Sequence, residues 1–341
     1  MSFQGKRILF ISPNFFNYEK AIKNRLMALG AEVDFFDERP SNSILARGII
    51  RVNSNFYKRE IESYYQKIQK QISNKSYDYF LLIKGESIPF SFLEKFKASN
   101  PKTLRIFYTY DTVKEYPKFK KLMPYFQKNI SFEPSDAKKY SFLFRPLFYL
   151  DAYHDKGNVA DFKNDIVFIG SAHTDRYTVG EKVRDVAKSI GLNTYFYYYV
   201  PSKMAYYLKK MFDKNLKKFD INKLNFKKLT HSEIASIYSS SFSVMDINKP
   251  FQFGLSMRTF ETLASEKKLI TTNSEIKNYP IYNPQNIMII DRREIKLDKA
   301  FFQTEFQKLS NTELYKMSLD SWIEDVFTKS NIDYWDKVLT K

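Results

Sequence analysis

Asn248-Lys249-Pro250-Phe251-Gln252-Phe253-Gly254-Leu255-Ser256-Met257-Arg258-Thr259-Phe260-Glu261-Thr262-Leu263-Ala264-Ser265-Glu266-Lys267-Lys268, running into Leu269-Ile270-Thr271-Thr272, decides the fold. It reads as a loop, a bend permitted by Gly254, a helix and then a buried strand. The start of such a helix offers free N–H groups and a positive dipole end, which suits a diphosphate. Arg258 and Glu261 are three apart and share one helix face. Arginine can grip phosphate through a fork of hydrogen bonds, and a carboxylate can accept from two ribose hydroxyls. The same spacing also makes an ordinary i,i+3 ion pair on an amphipathic helix.

Outward from this segment, the chain alternates apolar runs with helical spacing. Arg7–Ile11 is a short buried strand, broken by Ser12-Pro13-Asn14. Tyr18 to Leu29 carries Ala21, Ile22, Leu26 and Leu29 at helical spacing, and Gly30 stops it. Glu32–Phe36 follows as a strand, giving a βαβ opening. A long polar helix over 56–74 and strands at Tyr79–Ile83, Leu104–Tyr108 and Asn129–Phe132 continue the series. The polar stretch from His154 to Asn164 reads as a linker. A second series has strands at Asp165–Ile169, Asn193–Val200, Phe242–Asp246, Lys268–Thr272 and Ile287–Ile290, with a helix from about Thr178 to Ile190. The predicted layout is an α/β chain with a first domain over 1–153, a second over 165–310, and a helical tail over 311–341 carrying Trp322 and Trp335. The tail is expected to pack back on the first domain.

Three further segments carry chemistry. In Phe168-Ile169-Gly170-Ser171-Ala172-His173-Thr174-Asp175-Arg176 a strand ends in Gly170-Ser171, which permits close backbone approach, and Arg176 can neutralise a diphosphate. His173 reads equally as a solvated turn residue. Acids follow three strands of the first domain: Glu86, Asp111 and Glu133. Ligands in open α/β sheets bind beyond the carboxyl ends of strands, so these are candidate general bases, Asp111 first and Glu86 second. Each also suits a helix N-cap, Asp111 especially, before a helix over Val113 to Phe119. Pro201 to Thr230 holds nine lysines and two aspartates. From Lys203 to Phe219, Met204, Leu208, Met211, Phe212 and Phe219 fall on one helical arc. Lysines including Lys203, Lys209, Lys210, Lys214 and Lys217 lie mostly on the other. That is the pattern of a helix lying on anionic lipid, or of a surface helix packing its arc on its own domain.

Composition bounds these readings. The 341 residues are 43% apolar and 17% aromatic, which excludes a disordered chain. Cysteine is absent, so disulfides, cysteine-zinc sites and thiol catalysis are excluded, and three histidines make a histidine-rich metal site improbable on arithmetic alone. No stretch approaches the roughly 20 apolar residues that span a bilayer. The expected location is therefore cytoplasmic, with peripheral contact on the inner membrane face left open. The formal charge of +17 favours an anionic partner and says nothing about fold. It raises nucleic acid as a partner, but no RNA- or DNA-binding signature is present, so no specific nucleic acid is expected.

The pattern Gln252-x-Gly254-Leu255-Ser256-Met257-Arg258-Thr259-x-Glu261, continuing through Asn273, and Tyr279-x-Ile281-Tyr282-Asn283-Pro284-x-Asn286-Ile287 resembles bacterial surface-polysaccharide glycosyltransferases of the GT-B fold. It is similar to the group related to the spore-maturation-protein-like glycosyltransferases. The resemblance covers mainly 165–292, with weaker echoes at 78–150. It implies two Rossmann-like domains with parallel sheets facing a central cleft, the second holding a nucleotide-sugar. It implies a glycosyltransferase moving a sugar, from a UDP-sugar by preference, to a surface-polysaccharide or lipid-linked glycan acceptor. Glu261 matches the carboxylate on the donor ribose, and Arg258 lies against the diphosphate. Gly170, Ser171, Arg176, Gln252, Gly254 and Ser256 complete the implied donor set. Many retaining members carry a Glu eight positions before Glu261, where this chain has Phe253. Gln252 is the neighbouring polar candidate for that contact, and a retaining mechanism does not carry over. No Asp-x-Asp motif is present, so no cofactor and a metal-independent reaction are expected. The competing reading is a catalytically degenerate GT-B protein serving as a basic adaptor for lipid or polymer.

Overall fold

The computed structural model describes residues 1–41, 57–154, 162–212, 215–329 and 333–340. The chain forms two compact units, Met1–Pro146 with Leu319–Thr340, and Leu147–Ser318. It passes from one to the other between Pro146 and Leu147, ahead of the 154–164 stretch expected as the linker; 155–161 lie outside the described residues.

In the first unit the elements run β1 (Arg7–Ser12), α1 (Tyr18–Ala28), β2 (Glu32–Asp37), α2 (Lys58–Ile72), β3 (Tyr79–Ile83), α3 (Phe90–Ser99), β4 (Leu104–Thr109), α4 (Phe119–Leu122), β5 (Lys128–Ser131), α5 (Pro134–Tyr140) and β6 (Leu143–Phe144). All strand pairs are parallel, in the order β2-β1-β3-β4-β5-β6. Ile8 to Ile11 and Phe80 to Ile83 are fully buried, not alternating, because helices cover both faces of a parallel sheet. The helix expected over Val113 to Phe119 is absent: Thr112 closes a turn there by accepting from the Glu115 N–H at 3.2 Å, and α4 starts only at Phe119.

The second unit continues with β7 (Asn164–Ser171), α6 (Arg176–Ser189), β8 (Thr194–Tyr199), α7 (Lys203–Phe212), β9 (Leu224–Asn225), α8 (His231–Ser239), β10 (Ser241–Asp246), α9 (Met257–Ala264), β11 (Lys268–Thr271), β12 (Ile287–Ile289) and α10 (Asn311–Met317). Its sheet is also parallel, ordered β12-β11-β10-β7-β8-β9. In each sheet the order reverses once, beside β1 in the first and beside β7 in the second. These switch points are where open α/β sheets leave a crevice at the carboxyl ends of their strands.

One expected helix is shorter than its pattern. α7 is described over Lys203–Phe212, and Leu216–Lys218 is a separate tight turn. Phe219 does not share the arc of Met204. Its ring is buried 4.7 Å from Tyr177 and 5.7 Å from Tyr198, and filling that aromatic site redirects the chain. Lys214 lies outside the described residues.

The last segment rejoins the first unit through α11 (Leu319–Phe327) and α12 (Asp333–Asp336). Trp322, Ile323, Val326 and Trp335 are fully buried, and the Trp322 ring stands 4.9 Å from Tyr108 of β4. The buried Arg145 guanidinium meets the Asp325 carboxylate at 2.7 Å, and Lys128 Nζ donates to the Asp325 carbonyl at 2.6 Å.

Candidate functional site

In the second unit the residues singled out from the sequence gather at the switch point, between the ends of β7 and β10. β10 delivers Asp246, 1% exposed, and the first turn of α9 delivers Arg258 opposite it. Arg258 Nη1 donates to Asp246 Oδ1 at 2.6 Å, and Nη2 donates to the Ile169 carbonyl at 2.5 Å. The other Asp246 oxygen accepts from Ser256 Oγ at 2.8 Å and Thr259 Oγ1 at 3.3 Å. Ser256, at the N-cap position of α9, thus gives its hydroxyl to Asp246 and makes no cap of its own. Arg258 is held above the ordinary arginine value: burial works against its charge, and Asp246 outweighs it.

Arg176 converges on the same place from α6. Its Nε donates to the Ile247 carbonyl at 3.0 Å and Nη1 to the Ser171 carbonyl at 3.2 Å. Both guanidiniums flank the Phe168 ring, Arg258 at 5.1 Å and Arg176 at 6.0 Å. Burial first, and then Arg258, push Arg176 down to about 9. A site that lowers an arginine in this way gains from any anion that enters it. Gly170 leaves room for this packing: a Cβ there would stand 2.9 Å from Arg258 Nη2 and 2.8 Å from the Phe168 ring, and one of these side chains would have to shift.

A third guanidinium was not singled out from the sequence. Arg292, just beyond β12, meets both Asp175 oxygens at 2.9 Å and donates to the Asn248 carbonyl at 2.7 Å and Thr272 Oγ1 at 3.0 Å. Asn248 Nδ2 in turn donates to the Gln252 carbonyl at 2.7 Å, which fixes the loop before α9. Gln252 turns its amide to the Gly254 carbonyl at 2.9 Å, and Phe253 is exposed. Asp246 was read only as the end of a strand.

Glu261 is buried one turn beyond Arg258 and faces a different group. Its carboxylate lies 4.0 Å from His231 Nδ1, and that ring shares a 2.9 Å hydrogen bond with the Tyr153 hydroxyl. The ion pair that fixes Arg258 is made with Asp246 at the end of β10.

In the first unit the acids at the strand ends form one charged cluster. Asp111 is 3.0 Å from Lys84 Nζ, which also donates to Tyr116 OH at 3.0 Å and stands 3.6 Å from Glu86. Arg39 donates to Glu86 at 2.7 Å. Burial alone would lower Lys84, but Asp111, Tyr116 and Glu86 outweigh it and hold it above the ordinary lysine value. Lys84 adopts φ 73°, a strained backbone for a side chain with a Cβ, and it sits at the end of β3. Glu133, by contrast, caps α5 by accepting from Ser135 N, as the alternative reading allowed.

Glu38 lies behind this cluster, fully buried, accepting from the Glu86 N–H at 2.9 Å with one oxygen, while its other oxygen accepts no hydrogen bond. Burial pushes it up to about 7 from 4.5, against the pull of Arg39 and Lys84. The folded state therefore holds this proton more tightly than the unfolded chain. Its contribution is complete below the unfolded value and is lost as pH rises through about 7. Glu38→Gln should flatten the fall in melting temperature between about pH 5 and pH 7. An unchanged slope in thermal melts across that window would remove Glu38 as its source.

No family model and no curated protein matches the chain. Solved structures do. An alpha-glucosyltransferase in complex with UDP and a 13-mer DNA containing an A:G mismatch superposes with TM-score 0.62 at 13% identity, over 93% of this chain and 97% of that one. The chain has the GT-B fold. The lipopolysaccharide outer core galactosyltransferase WaaB, apo form, matches at TM-score 0.52 and 10% identity, over 94% and 99% of the two chains. A glycosyltransferase from Rickettsia africae ESF-5 matches at 0.51 and 14%, over 98% and 96%. At these identities the likeness is one of fold. Within this GT-B chain, the arginine cluster occupies the switch point of the second sheet and the acid cluster the strand ends of the first.

Proposed function

We propose that the chain is a glycosyltransferase that takes a nucleotide-sugar on its second unit and passes the sugar to a surface-polysaccharide or lipid-linked glycan acceptor. The observation that carries this reading is the convergence of Arg176, Arg258 and Arg292 at one sheet edge of a GT-B chain, beside a helix start. Fixed guanidiniums of this kind stabilise charge as it develops on a leaving diphosphate. The acceptor hydroxyl attacks the anomeric carbon and the bond from that carbon to the diphosphate breaks. The electron pair leaves with the diphosphate, and the hydroxyl proton passes to a carboxylate. Asp111 is the proposed base and Glu86 the second candidate. Glu261 is the proposed ribose contact, with Tyr153 and His231 fixing its orientation. The donor-loop residues Gly170, Ser171, Gln252, Gly254 and Ser256 shape the pocket, and the diphosphate is met by arginine in place of a metal. A relation to spore-maturation-protein-like transferases is part of the same proposal and rests on the sequence resemblance over 165–292 alone.

Thermal shift with UDP, GDP, CMP and their sugars tests the donor: no response to any nucleotide would sink the reading. Glu261→Gln should cut turnover at least a hundredfold, about 3 kcal/mol of lost transition-state binding, with the melting curve retained. Turnover that disappears this way also eliminates the adaptor reading. The acceptor is tested by offering glycolipid and duplex DNA in parallel. DNA is the second reading, supported by the +17 charge and by the DNA bound to one structural neighbour. Label appearing in DNA and not in glycolipid would replace the glycan acceptor.

A further inference from the structure

α7 presents an apolar face that its own unit leaves uncovered. Met204, Tyr207, Leu208 and Met211 stand at i, i+3, i+4 and i+7, one stripe of a helix, and they are 61%, 56%, 40% and 68% exposed. The side that packs is the opposite one. Ala205 and Tyr206 are buried, and the Tyr206 hydroxyl donates to the Phe219 carbonyl at 3.0 Å. Surface helices ordinarily bury their apolar stripe and show the polar side. This helix does the reverse, and four large side chains in contact with water need a partner.

The charges around the stripe identify its chemistry. Lys203, Lys217 and Lys218 are exposed, and Lys210 lies 5.2 Å from the Tyr206 ring. None of these four is in an ion pair among the described residues. Of the described acids on neighbouring segments, Glu181 is paired with Arg184 and Lys223 and Glu233 with Lys227, while Asp220 accepts from the Asn222 N–H at 3.0 Å. The surface is thus apolar along one line and cationic beside it. Its placement is also specific. α7 leaves the end of β8, whose Tyr199 pairs with Ser171 at the end of β7. The stripe therefore begins at the sheet edge that carries the arginine cluster.

We propose that this face docks on an anionic lipid bilayer, with Met204, Tyr207, Leu208 and Met211 sunk to the acyl boundary and the lysines resting on headgroups. A second copy of the chain is the weaker occupant, because it would bring the same lysines against these and like charges oppose such a contact. Flexible methionines and a stripe without directional partners also suit a fluid surface better than a shaped one. The assignment goes beyond the donor reading and does not depend on it.

Co-sedimentation of the full chain with phosphatidylcholine vesicles, with and without phosphatidylglycerol, tests it. Binding should require phosphatidylglycerol and weaken as salt rises. Met204→Ser with Met211→Ser should weaken it about tenfold or more, while the thermal shift with UDP stays as in the parent. Equal binding to both vesicle types, or an unchanged affinity in the double variant, would overturn the proposal. So would a dimer in analytical ultracentrifugation that the double variant dissociates. Lost vesicle binding with an intact UDP shift fails this surface alone, and a missing UDP shift with intact vesicle binding fails the donor site alone.

Discussion

Arg258→Met should lower the unfolding free energy of the second unit by about 3–5 kcal/mol, because it leaves a buried carboxylate without its cation. Asp246 is 1% exposed and would keep only the Ser256 and Thr259 hydroxyls. The Ile169 carbonyl at the end of β7 would lose its donor as well. Methionine fills much of the volume against Phe168, so the loss reports charge and hydrogen bonding more than a cavity. Arg258→Lys should recover only part of it, since a single ammonium cannot bridge Asp246 and Ile169 as the planar fork does. Pairing Arg258→Met with Asp246→Asn should restore part of the stability, and urea titrations of the four forms would give the coupling directly. A cost under about 1 kcal/mol for Arg258→Met would show that the pair is solvated. The same variant should also abolish the UDP shift, separating it from Glu261→Gln, which keeps the fold.

Removal of the chain beyond Ser318 should leave the first unit unable to fold. Trp322, Ile323, Val326, Phe327, Trp335 and Val338 are all buried in that unit. At about 1.5–3 kcal/mol for each large apolar side chain, their loss alone matches the 5–15 kcal/mol that stabilises a typical domain. Arg145, fully buried, would in addition be left without Asp325. Asp325→Ala is the milder version, with an expected cost of about 3–5 kcal/mol. Limited proteolysis reads both: the truncated chain should be cut throughout 1–146 while 147–318 resists. A truncated form that still melts cooperatively in two units would contradict this account.

The sheets were legible because a strand covered on both faces must be apolar throughout. Arg7–Ile11, Tyr79–Ile83 and Asp165–Ile169 stand out without any partner being known. β6 and β9 were not legible: two residues each carry no period, and their pairing is imposed by neighbours. The site was half legible. Arg176 and Arg258 sit on recognisable strand-to-helix junctions. Asp246 looks like any strand end until it is seen against the Arg258 guanidinium, and Arg292 lies 34 positions beyond Arg258 with only the fold to bring it back. α7 shows the limit from the other side. Its arc was visible in the sequence, but periodicity cannot say which face is covered, and the residue that ended the arc, Phe219, was claimed by Tyr177 and Tyr198.

The return of Leu319–Thr340 to the first unit sets the order in which the molecule can be finished. On the ribosome the first 146 residues emerge early, yet their core lacks Trp322 and Trp335 until the last stretch is made. The second unit is continuous over Leu147–Ser318 and has everything it needs as soon as it has emerged. Synthesis runs from the first unit to the second, while completion runs the other way. For that interval the first unit waits with an open apolar surface, and a nascent chain stalled before residue 319 would be a client for chaperones.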